Sequence, residues 1–155
     1  MIWGVIGAGL MALGVLLGAF GAHALKERLD AYSLGIWEKA VFYHFVHALG
    51  MLIVSGLLRA GALTESACST VSALLLAGII LFSGSLYLLA LTGTRGLGAV
   101  TPFGGLAFIA AWLVLAYRLL RGGENLALLW RSLPSVAAPK TGTATTAIPL
   151  RRIPS

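Results

Sequence analysis

Long uncharged stretches alternate with short charged ones along this chain. Four segments of at least 19 residues contain no Asp, Glu, Lys or Arg, and these are 1–25, 40–58, 66–94 and 96–117. A helix needs about 20 consecutive apolar residues to cross the hydrocarbon core of a bilayer. The pattern therefore predicts four transmembrane helices, at about residues 2–25, 36–59, 66–92 and 99–121.

The connection between the first two spans, residues 26–39, is the most strongly charged part of the first hundred residues. Its apolar positions recur mostly every three or four residues, at Leu25, Leu29, Tyr32 and Ile36. That spacing predicts a short helix lying in the membrane interface, followed by a break at residues 33–35. Aromatic residues favour the headgroup level. We therefore predict an interfacial aromatic belt of Trp37, Phe42 and Tyr43.

The composition changes after Arg121. From Pro134 onward the chain is rich in Pro, Thr and Ala, which predicts no fixed fold. We divide the chain into a four-helix transmembrane domain at 1–121 and a surface segment with a flexible tail at 122–155. The predicted fold is all-α: an integral membrane four-helix bundle with a short interfacial helix after the first span and a disordered C-terminal tail.

Composition restricts the class of partner. The chain is 59% hydrophobic and only 10% charged, whereas soluble domains are typically about 25% charged. The net charge of +6 comes from basic residues at helix ends and in the tail, so it indicates contact with lipid headgroups and no nucleic acid. The near-membrane basic residues divide equally between the two sides. The distal Lys140, Arg151 and Arg152 favour cytoplasmic termini.

Glycines form a stripe along the first span and recur at the start of the fourth. Small residues let transmembrane helices approach closely. We predict that this stripe makes the first helix central to the bundle. The predicted helix-packing residues are Gly14, Gly18, Gly21, Gly104 and Gly105.

The three histidines are the candidates for chemistry. His44 and His47 are three residues apart, so they share one face of the second helix, and His23 lies at the end of the first. Titratable groups at membrane depth usually face the bundle interior. One interpretation is a haem or metal site made from these three imidazoles. The interpretation we favour is a structural polar cluster without cofactor or metal, formed by His23, Glu38, His44, His47, Ser83 and Tyr87.

Catalysis is not indicated. Ser83 and Ser85 lie in the sequence LFSGSLY, which lacks a nucleophile elbow and has no nearby carboxylate. We assign no catalytic residue and expect a non-enzymatic structural or accessory component that packs with itself or with a larger membrane complex. The alternative is a small transporter or channel, which would have to be an oligomer because each copy has few polar residues within its spans.

Four dispersed motifs resemble one bacterial family. They lie at residues 18–25, 37–47, 81–93 and 101–105. Over about residues 1–121 the chain resembles the family labelled domain of unknown function 423, which includes the animal transmembrane protein 256. The resemblance implies a small four-helix protein of the bacterial inner membrane with no established activity. The segment after Arg121 departs from the short C-terminus of that family.

Overall fold

A computed structural model describes residues 2–132, with side chains as far as Gly122. Within this range the chain forms α-helices and no strand. The helices are α1 (Ile2–Phe20), α2 (Ala31–Arg59), α3 (Glu65–Gly78), α4 (Gly84–Thr92) and α5 (Thr101–Ser132). A π-helical turn, Gly21–Leu25, extends α1, and a second one, Ile79–Ser83, joins α3 to α4. A 3₁₀ turn, Arg95–Ala99, precedes α5.

Four helical segments of the described chain are long and apolar enough to cross a membrane. They are Ile2–Leu25, Ala31–Arg59, Glu65–Thr92 and Arg95–Gly122. The prediction of an all-α membrane bundle with four spans is confirmed. The third crossing is composite, because α3, the π-turn and α4 follow one another without a loop.

The charged connection between the first two spans contains no separate helix, so the predicted interfacial helix and its break at residues 33–35 are wrong. The carboxylate of Asp30 accepts a hydrogen bond from the backbone N–H of Ser33 at 2.7 Å, and α2 starts at Ala31. An N-cap of this kind satisfies a donor that the first helical turn leaves free. The helix then continues through Gly35, because one helical glycine costs only about 1 kcal/mol. Thr64 caps α3 in the same way, accepting from Ala67 N at 3.3 Å.

The glycine stripe of α1 packs along α2, and the two helices run antiparallel. A Cβ placed at Gly4 would meet Ser55 at 3.4 Å, and one placed at Gly14 would meet the ring of Phe45 at 3.2 Å. At the other end, a Cβ at Gly21 would lie 2.6 Å from the Trp37 ring. The start of α1 therefore lies beside the end of α2.

The first span is the least buried of the four, and the second and third are the most buried. The prediction that the first helix is central is therefore wrong. Its glycines line one side only, and large apolar residues such as Val5 and Leu16 cover its exposed side. The core lies between α2, the third span and α5, around Met51, Val71 and Leu75.

Helix α5 packs against the composite third span, and its closest approach is at the second π-turn. A Cβ on Gly104 would collide with the backbone of Phe82. The α5 backbone continues past Arg121 to Ser132. The predicted flexible tail from Pro134 lies outside the described residues.

Candidate functional site

One inward face of α2 carries a buried indole and both buried imidazoles of the described bundle, those of Trp37, His44 and His47. Six of its eight buried positions recur every three or four residues, at Trp37, Ala40, His44, His47, Met51 and Val54, and Ala48 and Gly50 are buried beside them. That spacing is the period of a helix with one side against its neighbours. Both histidines of this helix therefore point into the bundle, as expected from their spacing.

His47 is fixed by one hydrogen bond and one stacked ring. Its Nδ1 lies 2.7 Å from the carbonyl oxygen of Tyr43. A carbonyl can only accept, so Nδ1 carries the proton and donates it. The ring lies on Phe108 of α5 with centroids 3.4 Å apart, and it also stacks on Tyr43 at 5.8 Å. This imidazole therefore joins α2 to α5.

His44 lies between α1 and α4 and is only 2% exposed. Its Nδ1 is 3.4 Å from the hydroxyl of Tyr87, at the long end of the hydrogen-bonding range. The carbonyl of Leu10 faces the same ring, yet Nε2 has no partner of hydrogen-bond geometry. His44 therefore has a buried polar atom that no described protein group satisfies.

Trp37 joins three parts of the bundle. Its indole N–H donates to the Leu17 carbonyl at 3.0 Å, and its ring meets Tyr87 with centroids 4.6 Å apart. Its side chain is 2% exposed, so its predicted place in an interfacial belt is wrong. The reason is the narrow space above Gly21, which lets the indole lie between helices. Tyr43 is also turned inward, toward Phe82, and Phe42 alone of the three is exposed.

The two serines near the second π-turn behave differently. Ser83 is fully buried, but its hydroxyl has no hydrogen-bond partner, so no hydrogen bond links it to the other members of the predicted polar cluster. Ser85 instead lies 2.9 Å from the Thr101 hydroxyl at the start of α5. A π-turn inserts one residue and so rotates the following helix relative to an uninterrupted one. The polar link to α5 therefore falls on Ser85.

His23 and Glu38, which were predicted in the same cluster, lie outside it and are exposed. Gly21 and Leu25 are the buried residues of the first π-turn. His23 is two positions from each, and residues two apart on a helix point to nearly opposite sides. Among the described side chains, no three of the types His, Cys, Asp and Glu come together to hold a metal ion. The structure therefore does not bring the three imidazoles together.

Sequence reasoning missed three interhelical contacts. They are the indole N–H of Trp37 on Leu17, the Ser85–Thr101 pair, and the Trp3 indole donating to Ser69 at 3.1 Å. The position of Trp37 seven residues before His44, on the same helical face, was the available signal for its burial. The other two pairs are 16 and 66 residues apart in the chain, and no local pattern marks them.

Comparison with known sequences gives a family for this arrangement. The sequence profile described as "Protein of unknown function (DUF423)" matches residues 17–105. The chain belongs to the DUF423 family. The matched range contains Trp37, both buried histidines and Tyr87, so the resemblance identified from the motifs is confirmed.

Bacterial DUF423 relatives are similar over most of their length. The UPF0382 membrane protein YwdK of Bacillus subtilis is 45% identical over 112 residues, covering 72% of this chain and 89% of the relative. The UPF0382 membrane protein SSP2132 of Staphylococcus saprophyticus is 48% identical over 118 residues, covering 74% and 91%. No solved structure matches the chain. This DUF423 chain is thus a multi-pass membrane protein, and the names of these bacterial relatives describe them only as membrane proteins.

Proposed function

We propose that the protein is a non-enzymatic structural component of the bacterial inner membrane that packs against another transmembrane helix, from a second copy or from a larger complex. Two features support this proposal. The buried imidazoles are engaged in contacts between the protein's own helices. The described bundle also has an open groove on its outer side.

The groove lies between the end of the first span and the beginning of α2, and its volume is about 330 Å³. Gly18, Gly21 and Ala22 form one wall, and Phe42 and Phe45 form the other. Small residues beside large ones offer a neighbouring helix both close approach and interdigitating contacts. This groove is the observation that carries the proposal.

Glu38 gives the groove a chemical preference. Its carboxylate belongs to the groove lining, which contains no basic residue, and it sits near the charged end of α2. A helix with a lysine or arginine near the membrane surface would complement it, because opposite charges at an interface favour one register over others. The expected partner is therefore an apolar helix with a basic residue near its end.

Photo-crosslinking in native membranes tests the proposal. Phe42→Cys places a label in the groove, and Leu113→Cys places one on another lipid-facing surface. The two native side chains are equally exposed, at 63% and 66%. The native Cys68 is buried, at 1%, so we expect it to react far less than the introduced thiols. A benzophenone attached at position 42 should give a discrete adduct, and one at position 113 should not.

The mass of the adduct identifies the partner. Twice the mass of the chain means a second copy, and any other discrete mass means a different protein. Ala22→Trp, which fills the groove from its small-residue wall, should abolish the adduct. Equal adducts at both positions, or none at either, would contradict the proposal, because they would show random encounter or no neighbour.

The same proposal includes cytoplasmic termini. The four spans place both ends of the membrane domain on one side of the bilayer, where Arg59, Arg118 and Arg121 also lie. The near-membrane basic residues divide equally between the two sides, so the preference for cytoplasmic termini comes from the distal Lys140, Arg151 and Arg152. After Gly122, a fused reporter that works only in the cytoplasm should be active, and one that works only in the periplasm should be inactive. The opposite result would reverse the assigned orientation.

A further inference from the structure

A second cleft opens at the opposite membrane surface, where the start of α1, the end of α2 and the start of α3 meet. Its volume is about 330 Å³, which lies within the range of roughly 300–1,000 Å³ found for small-molecule sites. The lining consists of Trp3, Gly4, Val5, Leu52, Ser55, Gly56, Leu58, Arg59 and Cys68. Three helices thus build one concave and mainly apolar surface.

Arg59 is the single charged residue of this lining, and no acidic residue accompanies it. Arg59 is the last residue of α2 and its side chain is exposed. We expect its guanidinium to reach the headgroups, because basic residues at the ends of transmembrane helices favour that level. A guanidinium presents a planar set of donors that matches a phosphate in a bidentate manner. The rim of the cleft is therefore suited to an anion.

The walls below Arg59 are suited to hydrocarbon. Val5, Leu52 and Leu58 contribute apolar side chains, and the indole N–H of Trp3 is already occupied by Ser69 at 3.1 Å. Ser55 also contributes to the lining, but its hydroxyl oxygen is buried and has no hydrogen-bond partner. A soluble anion would leave the apolar walls uncovered, and a neutral apolar molecule would leave Arg59 unused. An anionic amphiphile satisfies both.

We propose that this cleft binds an anionic phospholipid, with the phosphate on Arg59 and part of one acyl chain against Leu52 and Leu58. Basic pockets between transmembrane helices are known to hold anionic headgroups. This site is independent of the helix-packing groove, because it lies at the other end of the bundle and shares no lining residue with it.

The chain offers matched variants. Gly56→Leu adds a side chain to the cleft lining, and we expect the fold to be kept because a Cβ at this position meets no atom within 4 Å. Gly35→Leu is the same change at another open position of α2, outside the cleft. Arg59→Gln removes the charge and Arg59→Lys keeps it. Arg121→Gln removes an arginine that lines a separate cleft at the same membrane surface.

The test uses the full-length protein in phosphatidylcholine vesicles containing a trace of spin-labelled lipid. Electron paramagnetic resonance measures the fraction of label that is motionally restricted by the protein. We expect labelled phosphatidylglycerol to be preferred over labelled phosphatidylcholine. Arg59→Gln should lower that preference about fivefold, the effect of one basic residue near the headgroups. Arg59→Lys and Arg121→Gln should retain most of it.

Gly56→Leu should lower the restricted fraction of phosphatidylglycerol, and Gly35→Leu should not. A loss with Arg121→Gln as large as with Arg59→Gln would overturn the proposal, because it would mean general surface charge. An unchanged fraction in Gly56→Leu would overturn it as well, because the cleft would not be the site. Labelled stearate is the third arm, and its restriction without that of phosphatidylglycerol would reject a phospholipid in favour of a free carboxylate.

Discussion

The imidazole of His47 lies flat on the ring of Phe108, with centroids 3.4 Å apart and 12° between the ring planes. The pair connects α2 with α5 in the middle of the bundle. Lipid tails are as apolar as a protein interior, so close packing of this kind, more than exclusion from water, holds membrane helices together. The position of the histidine is therefore explained by its contact area and by the single hydrogen bond of its Nδ1.

His47→Phe should lower the free energy of unfolding less than His47→Ala does. Phenylalanine preserves a flat ring against Phe108 and loses one hydrogen bond, a cost of about 1 kcal/mol. Alanine leaves a void, and truncating a large buried side chain costs about 2 kcal/mol or more. Unfolding in sodium dodecyl sulfate, followed by circular dichroism, gives the free energy of each variant.

His23→Ala is the control for that series, because His23 is exposed. Its free energy of unfolding should equal that of the native protein. If His47→Ala unfolds no more readily than His23→Ala, the stacked pair does not hold α2 and α5 together.

Gly21→Ala should destabilise the junction of α1 with α2. The added Cβ would lie 2.6 Å from two atoms of the Trp37 ring, and the indole is held by its hydrogen bond to Leu17. Overpacking of this kind costs about 1–3 kcal/mol. Gly9→Ala is the matched change on the same helix, with no atom within 4 Å, and should be neutral or slightly stabilising. Equal effects on thermal unfolding in detergent would rule out a special role for the Trp37 contact.

Alanine substitutions at two neighbouring glycines of α5, Gly104 and Gly105, should differ sharply in their effect on stability. A Cβ on Gly104 would collide with the backbone of Phe82 in the second π-turn, whereas one on Gly105 would make an ordinary contact with the Phe82 ring at 3.8 Å. Backbone atoms cannot turn aside as a flexible side chain can. Gly104→Ala should therefore lower the melting temperature by several degrees and Gly105→Ala by little. The reverse order would mean that α5 does not approach the π-turn as described.

Asp30 should make the start of α2 sensitive to acid. The hydrogen bond from the backbone of Ser33 lowers the pKa of this carboxyl below its usual 3.8. A pKa that is lowered by folding gives a stabilisation that is present above the unfolded-state value and is lost as the pH falls through the folded one. The free energy of unfolding should therefore decrease as the pH is lowered below about 4. Asp30→Asn, which keeps a capping oxygen, should remove this part of the dependence when the two proteins are titrated side by side.

Several features of the fold follow from local sequence alone. The four crossings are defined by segments without charge, because placing a charge in hydrocarbon is costly wherever it occurs along the chain. The inward direction of His44 and His47 follows from helical periodicity, and the same periodicity places His23 on the outer side once Gly21 is known to face α2. The caps of α2 and α3, Asp30 and Thr64, are also local features, but the structure identified them, because the sequence pattern between residues 25 and 36 favoured a separate helix.

Other features depended on how the helices meet. The burial of Trp37 requires the space above Gly21, and the pairing of Ser85 with Thr101 requires the π-turn at Ile79–Ser83. One inserted residue turns the following helix by about 100°, which decides which serine reaches α5. The sequence by itself determined which segments enter the membrane and which side of α2 is polar. Only the tertiary structure decided which side chains meet across the helices, because those contacts depend on the rotation and distance between two elements, and no single segment contains that information.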